Sequence, residues 1–438
     1  MKKITLIIIL SVIAFNSKAQ NILQNINLAS EFFIQLDSGN YDKAYSLFDA
    51  SMTEKVKPEN LKVLWTQITS KLGKFEGIDG ATNKSQGDLQ LVILEGGFKN
   101  DTQPFQFAFN KESKIVGFFI LPKNPESTYK YPSYADPNSF TEKLITINTG
   151  KHNLPAMLTL PKDSLNCPIV ILVHGSGPSD MDETIGPNKP FKDIAVGLAS
   201  KGIASIRYVK STMLFANEFV GAFTVKEEVI NDALTVIDYA KTVQQIDSTK
   251  IYVFGHSLGG MLAPRIASLK PTEIKGLILA AAPARKLQDL AIEQNNYFFK
   301  LQKDTAKTAP LAFAKAIKDL NFTKTLNAKT PQQDSLYLGL PVSYWADLNT
   351  MDQVVIAKTL KQRMLIIQGG NDFQVSTTDL KLWQEALKGK KNVDTKLYPM
   401  LNHLFAFVPE KGDNNQYLKP INVDQPLIED LASWILQK

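Results

Sequence analysis

The chain has 438 residues, a length for two domains rather than one, and its 44% hydrophobic and 21% charged residues exclude a disordered or fibrous polymer. The formal net charge is +6, but the basic residues are scattered without interleaved aromatics, which disfavours nucleic-acid binding. The single cysteine, Cys167, excludes an internal disulfide; at the start of an apolar strand it reads as a small buried residue, not a reactive thiol.

Residues 1–19 have the pattern of a signal peptide. Lys2 and Lys3 precede an apolar run from Ile4 to Phe15, and Ser17-Lys18-Ala19 places small residues at a cleavage site before Gln20. The run falls short of the ~20 residues a spanning helix needs, and no cysteine follows it to carry lipid. A periplasmic or secreted protein without a stable membrane anchor is expected. Loss of three lysines and no acid takes the net charge from +6 to +3.

Residues 21–125 predict a small α+β domain. Leu28, Phe32, Phe33 and Leu36 recur at helical spacing until Gly39-Asn40 breaks the pattern. Tyr41, Ala44, Leu47 and Phe48 begin a second stripe, and Pro58 opens a third helix that Gly73 ends. Extended segments follow at 89–98, 104–109 and 114–121, parted by turn residues.

Residues 126–140, near Pro122, Pro125, Pro132 and Pro137, have the composition of a linker. From 141 to 438 the pattern changes. A hairpin over 144–148 and 156–160 leads into continuous apolar runs at 168–173, 203–208, 251–254, 276–280 and 364–367. Helical stretches at 191–201, 225–242 and 258–269 separate them, which predicts a mostly parallel sheet with helices on both faces. Residues 284–362 form a helical insertion rich in aromatics, expected to cap the site.

Gly255-His256-Ser257-Leu258-Gly259 matches G-x-S-x-G between a strand and a helix. Such a turn is sharp; Gly255 and Gly259 remove side chains that would collide, and Ser257 is presented at a helix N-terminus. A serine nucleophile needs a base. Of the four histidines, His152 and His174 precede the elbow, His256 lies inside it, and only His403 lies downstream. Around such elbows the order is serine, acid, histidine. The acid is expected at Asp372, in the loop after the strand at 364–367; Asp347, Asp352 and Asp379 sit in less suitable contexts. The oxyanion hole is assigned to the N–H of Leu258 and that of Ser176, with Gly177 as the alternative, in the loop His174-Gly175-Ser176-Gly177-Pro178. His174, Tyr344, Trp345 and Phe373 are candidate pocket residues. The chemistry calls for no cofactor and no metal.

At these residues the chain resembles the α/β-hydrolase superfamily, and within it the bacterial dienelactone-hydrolase-like esterases with an N-terminal domain of unknown function. The likeness covers about residues 140–438. It rests on HGSGP at 174–178, Asn188-Lys189-Pro190-Phe191 with Asp193, GHSLGG at 255–260, Gln368-Gly369-Gly370-Asn371-Asp372 and Leu401-Asn402-His403-Leu404-Phe405. The resemblance implies an α/β-hydrolase fold with a helical cap and a triad of Ser257, Asp372 and His403. One departure stands out: after Arg207-Tyr208 such proteins carry an Asp and then Lys-Arg, whereas this chain reads Val209-Lys210-Ser211. The N-terminal domain is similar to cone-shaped nuclear-transport-factor-like folds, which implies a dimerisation or small-ligand role and hence a candidate homodimer.

The reading is a serine hydrolase that cleaves a small-molecule carboxylic ester through an acyl-enzyme. The alternatives are a serine peptidase, a carbon–carbon bond hydrolase on the same triad, and a non-catalytic binding protein that keeps the scaffold.

Overall fold

The computed structural model describes residues 18–86, 89–121, 129–162, 164–219, 221–301, 309–331 and 336–437. The expected signal segment lies, up to residue 17, outside the described residues. The chain divides into two compact units. One holds Asn16–Thr128 together with Ser211–Val220; the other holds Tyr129–Lys210 and Gly221–Lys438.

The N-terminal unit begins with α1 (Lys18–Asp37), α2 (Tyr41–Tyr45), α3 (Ala50–Thr53) and α4 (Pro58–Leu72). The expected second helix is thus two short ones. Asp49 separates them, its side chain accepting a hydrogen bond from Met52 N at the start of α3. An antiparallel sheet follows in the order β1 (Phe75–Gln86), β2 (Leu89–Phe98), β3 (Asp101–Phe109), β4 (Ile115–Ile120). Strand β1 is the element the sequence did not announce: its residues Glu76 to Gln86 are mostly polar or glycine, and register shifts interrupt its pairing with β2. The core is aromatic, with Phe32, Phe33, Phe105 and Phe107 all fully buried.

In the second unit, residues 129–140 belong to the packed structure instead of linking two bodies. Tyr134 OH donates to the Val423 carbonyl, and Ala135 and Phe140 pack on Val196 and Ala199. The domain boundary therefore falls earlier than position 140. The hairpin β5 (Phe140–Asn148) and β6 (Asn153–Pro161) forms one edge of an eight-stranded sheet. Then come β7 (Cys167–Val173), α5 (Pro190–Ala199), β8 (Ala204–Tyr208) and, after α6 (Ser211–Leu214), which belongs to the N-terminal unit, α7 (Asn231–Ala240), β9 (Ile246–His256), α8 (Leu258–Leu269) and β10 (Ile274–Ala280). The turn before α7, Lys226–Ile230, is a π-helix, so the expected single helix over 225–242 starts wide.

The insertion contains α9 (Leu287–Leu301), α10 (Ala309–Thr323), the short strands β11 (Leu336–Tyr337) and β12 (Leu340–Pro341), α11 (Val342–Asn349) and α12 (Gln353–Thr359). Strand β13 (Arg363–Gly369), α13 (Thr377–Ala386), β14 (Val393–Tyr398) and α14 (Gln425–Leu436) complete the chain. The sheet order is β14-β13-β10-β9-β7-β8-β6-β5, parallel from β14 through β8 and antiparallel only where β6 and β5 join. All seven residues of β7 are buried, as strands covered on both faces require. Leu172, Phe254, Ile278 and Ile367 pack with Phe191, Ile194, Leu427 and Leu431 of the flanking helices. The carboxyl ends of β7, β9, β10 and β13 lie together at one rim, where loops collect functional groups.

Candidate active site

Ser257 occupies the turn between β9 and α8 with φ +53° and ψ −116°, a left-handed region that a non-glycine residue enters only when its surroundings force it. The forcing is steric crowding on both sides. A Cβ at Gly255 would collide with the Gly259 carbonyl, and one at Gly259 with the Val173 carbonyl, so the turn closes only with glycine at both places. Ser257 N–H donates to the Ala280 carbonyl, which pins the elbow to β10.

His403 and Asp372 are in direct contact. His403 Nδ1 lies 2.7 Å from Asp372 Oδ2, and both side chains are almost fully buried. The carboxylate accepts from Gln374 N (2.7 Å) and Val375 N (2.9 Å) at Oδ1 and from Gln368 Nε2 (3.1 Å) at Oδ2. An acceptor-only carboxylate draws the ring proton to Nδ1 and leaves Nε2 as the basic nitrogen. Asn402 shapes the histidine loop: its Oδ1 accepts from Leu404 N and Ala406 N, and Phe405 takes φ +56°. The acids set aside have other duties. Asp379 pairs with Arg285, Asp347 with Arg265, and Asp352 caps α12.

The His403–Asp372 pair touches His256, the residue before Ser257. His256 Nε2 is 2.9 Å from the His403 carbonyl, and the two imidazole rings lie 4.6 Å apart. Among the described residues no hydrogen bond joins Ser257 Oγ to the His403 ring.

Glu183 lies 2.8 Å from His256 Nδ1 and also accepts from Gly175 N at 2.7 Å. Burial alone would raise the carboxyl and lower the imidazole. Their mutual attraction outweighs it, so Glu183 is held below its ordinary range and His256 above. Glu183 itself is held at φ +53°. Nothing in the sequence signalled this residue; its importance comes from a fold that returns it to the elbow.

The loop at 174–178, expected to supply an oxyanion donor, has fewer open donors than amides. Gly175 N goes to Glu183, and Gly177 N goes to Glu228 Oε1 at 2.7 Å. The alternative donor Gly177 is therefore already engaged. Among the described residues, the N–H groups of Ser176 and Leu258 have no protein acceptor, as oxyanion donors should not.

The four candidate pocket residues prove to be interior groups. His174 is fully buried between Phe191 and Tyr208, with Nε2 on the Asp180 carbonyl, and burial pushes its pKa down to about 4. Tyr344 OH donates to Glu228 Oε2, and Trp345 Nε1 donates to the Tyr337 carbonyl. Phe373 packs among Tyr297, Phe298 and Tyr417. Tyr344 and Trp345, insertion aromatics that could line a pocket or form the insertion's own core, hold the insertion and its supports together. Cys167 is buried, and burial raises its thiol pKa, as expected of an inert residue.

Comparison with known proteins gives the following. Residues 29–118 match a domain family described as a protein of unknown function, DUF3887, and residues 221–409 match one described as serine aminopeptidase, S33. The chain is 36% identical over 407 residues to Esterase EstD of Thermotoga maritima, covering 92% of this chain and 94% of that one. Among solved structures, Est1E of Butyrivibrio proteoclasticus with bound ferulic acid aligns at TM-score 0.43 and 17% identity over 67% of this chain and 100% of its own. The acylaminoacyl peptidase of Pyrococcus horikoshii aligns at TM-score 0.44 and 15% identity over 74% of this chain and 45% of its own.

Proposed function

From the premise that the chain belongs to the α/β-hydrolase esterases, the family of Esterase EstD, with the DUF3887 domain before the catalytic one, we propose that it cleaves carboxylic esters through an acyl-enzyme on Ser257. Ser257 Oγ attacks the ester carbonyl while His403 Nε2 takes its proton. The carbonyl electron pair moves to oxygen, which faces the N–H groups of Leu258 and Ser176. The carbon–alkoxy bond then breaks, and the imidazolium returns its proton to the leaving alcohol. Water repeats the sequence and releases the acid.

The observation that carries this reading is the 2.7 Å contact between Asp372 and His403, made by loops beside the elbow from residues 31 positions apart. Closure of the hydroxyl onto Nε2 belongs to the substrate complex, since catalytic contacts are commonly loose before substrate binds. A fluorophosphonate probe should label the wild type and leave Ser257→Ala unlabelled; an unlabelled wild type overturns the reading.

Amide cleavage is the second reading, favoured by the match to the serine aminopeptidase family. Short p-nitrophenyl esters should turn over much faster than aminoacyl p-nitroanilides; the reverse order makes it a peptidase. Export through residues 1–19 completes the proposal, with the mature chain expected to begin at Gln20 on N-terminal sequencing.

A further inference from the structure

Lys210 stands two residues beyond the end of β8 and is 1% exposed. Its ammonium donates to three acceptors: the Gly175 carbonyl at 2.9 Å, the Gly177 carbonyl at 2.6 Å and Glu228 Oε1 at 2.9 Å. A lysine has three donors, so all are used. Two of the three acceptors are backbone carbonyls of the oxyanion loop, which balancing a buried carboxylate does not call for.

The consequence follows from peptide geometry. The peptide joining Gly175 to Ser176 is trans, so its C=O and N–H point in opposite directions. A cation that fixes the Gly175 carbonyl on one side aims the Ser176 N–H on the other, and by withdrawing electrons from that carbonyl it makes the N–H a stronger donor. The loop lies against the nucleophile: a Cβ at Gly175 would come within 3.2 Å of Ser257 Cβ. Glu183 takes the amide of Gly175 and Glu228 that of Gly177, which leaves Ser176 between them as the unengaged donor among the described residues. Glu228 reaches the loop from the π-helical turn and is buttressed from α11 by Tyr344 OH.

We propose that Lys210 is a positioning residue for ester hydrolysis, holding and polarising the Gly175–Ser176 peptide so that its N–H receives the oxyanion; this rests on the assignment of Ser257 as nucleophile. The competing role is charge balance for Glu228 alone. The test compares wild type, Lys210→Met, and Lys210→Met combined with Glu228→Gln, which keeps the buried pair neutral and guards against a variant that fails to fold. Removing a whole oxyanion donor costs ~10²–10³ in turnover, so misaiming one should lower kcat by about 10–100-fold with KM nearly constant. An arylboronic acid, whose tetrahedral adduct on Ser257 places an oxygen in the same hole, should lose affinity in parallel.

The double variant should fold and stay slow, with fluorophosphonate still modifying Ser257. If the double variant regains wild-type kcat, or if Lys210→Met never loses it, Lys210 serves charge balance and the proposal fails. If the wild type itself takes no fluorophosphonate, the esterase assignment fails and this proposal falls with it.

Discussion

The two units of the chain use their interiors for opposite purposes. In the N-terminal unit the core is a stack of aromatics: Phe33 lies 4.8 Å from Phe105, and Phe105 stacks on Phe118 at 5.8 Å with the rings nearly parallel. Its buried polar residues among those described are Asn25, Ser30, Ser113, Ser211 and Thr212, none of them charged. The second unit buries Glu183, Arg207, Lys210, Glu228, His256, Asp372 and His403, most of them around the carboxyl ends of its parallel strands. Burying charge is costly unless each group is paired and hydrogen-bonded. An interior that holds this many charges is organised for chemistry, whereas one that holds phenylalanines is organised for cohesion. The same kind of substitution should therefore read out differently in the two units, as lost turnover in one and lost stability in the other.

The largest expected effect is at the rim. Asp372→Asn keeps the shape of the side chain but removes the charge that fixes the His403 tautomer, and kcat for a short p-nitrophenyl ester should fall by on the order of 10⁴ with little change in thermal stability. Near-normal turnover would mean that the carboxylate beside His403 is only a loop anchor, and the contrast between the units would lose its catalytic side. In the N-terminal unit the counterpart is Phe105→Ala. Phe105 is fully buried against Phe33, Phe98 and Phe118, so the loss should be about 3–5 kcal/mol in that unit's unfolding transition. Ester turnover per folded molecule should hold. A 10-fold fall in kcat without loss of stability would show that the aromatic unit takes part in the chemistry.

How much of this was legible in the sequence follows the same division. Strands β7, β9, β10 and β13 were readable because burial on both faces writes a continuous apolar run. The elbow was readable because its glycines are required sterically. His403 stood out as the one histidine downstream, and Asp372 because it follows a buried strand. Strand β1 was missed because its residues are polar and its pairing is irregular. Lys210 drew notice only through its neighbours Val209 and Ser211, which depart from the Asp-Lys-Arg run of the resembled family, and Glu183 and Glu228 not at all. Periodicity reports which face of an element is buried; it cannot report that residues 175, 183, 210 and 228 converge on one loop. The aromatics of the insertion stayed open between two roles for a related reason, since composition cannot tell a side chain facing a pocket from one facing its own core.

The smallest expected effect tests whether the charges beneath the elbow contribute to stability as well as to geometry. Folding holds the His256 pKa above its ordinary value of 6.5, so its contribution is fully present below that pH and is lost as pH rises through the folded value. Folding holds Glu183 below its ordinary value of 4.5, so its contribution is present above that pH and is lost as pH falls through the folded value. The pair therefore stabilises most between pH 4.5 and 6.5. For one proton the slope outside that window cannot exceed about 1.4 kcal/mol per pH unit. In Glu183→Gln the imidazole loses its main support and burial disfavours its charge, so the decline of Tm from pH 6.5 upward should flatten relative to wild type. Parallel Tm profiles for the two proteins between pH 5 and 9 would show that the Glu183–His256 contact is not an ion pair at any working pH. Glu183 would then act on the site only through its hydrogen bond to Gly175.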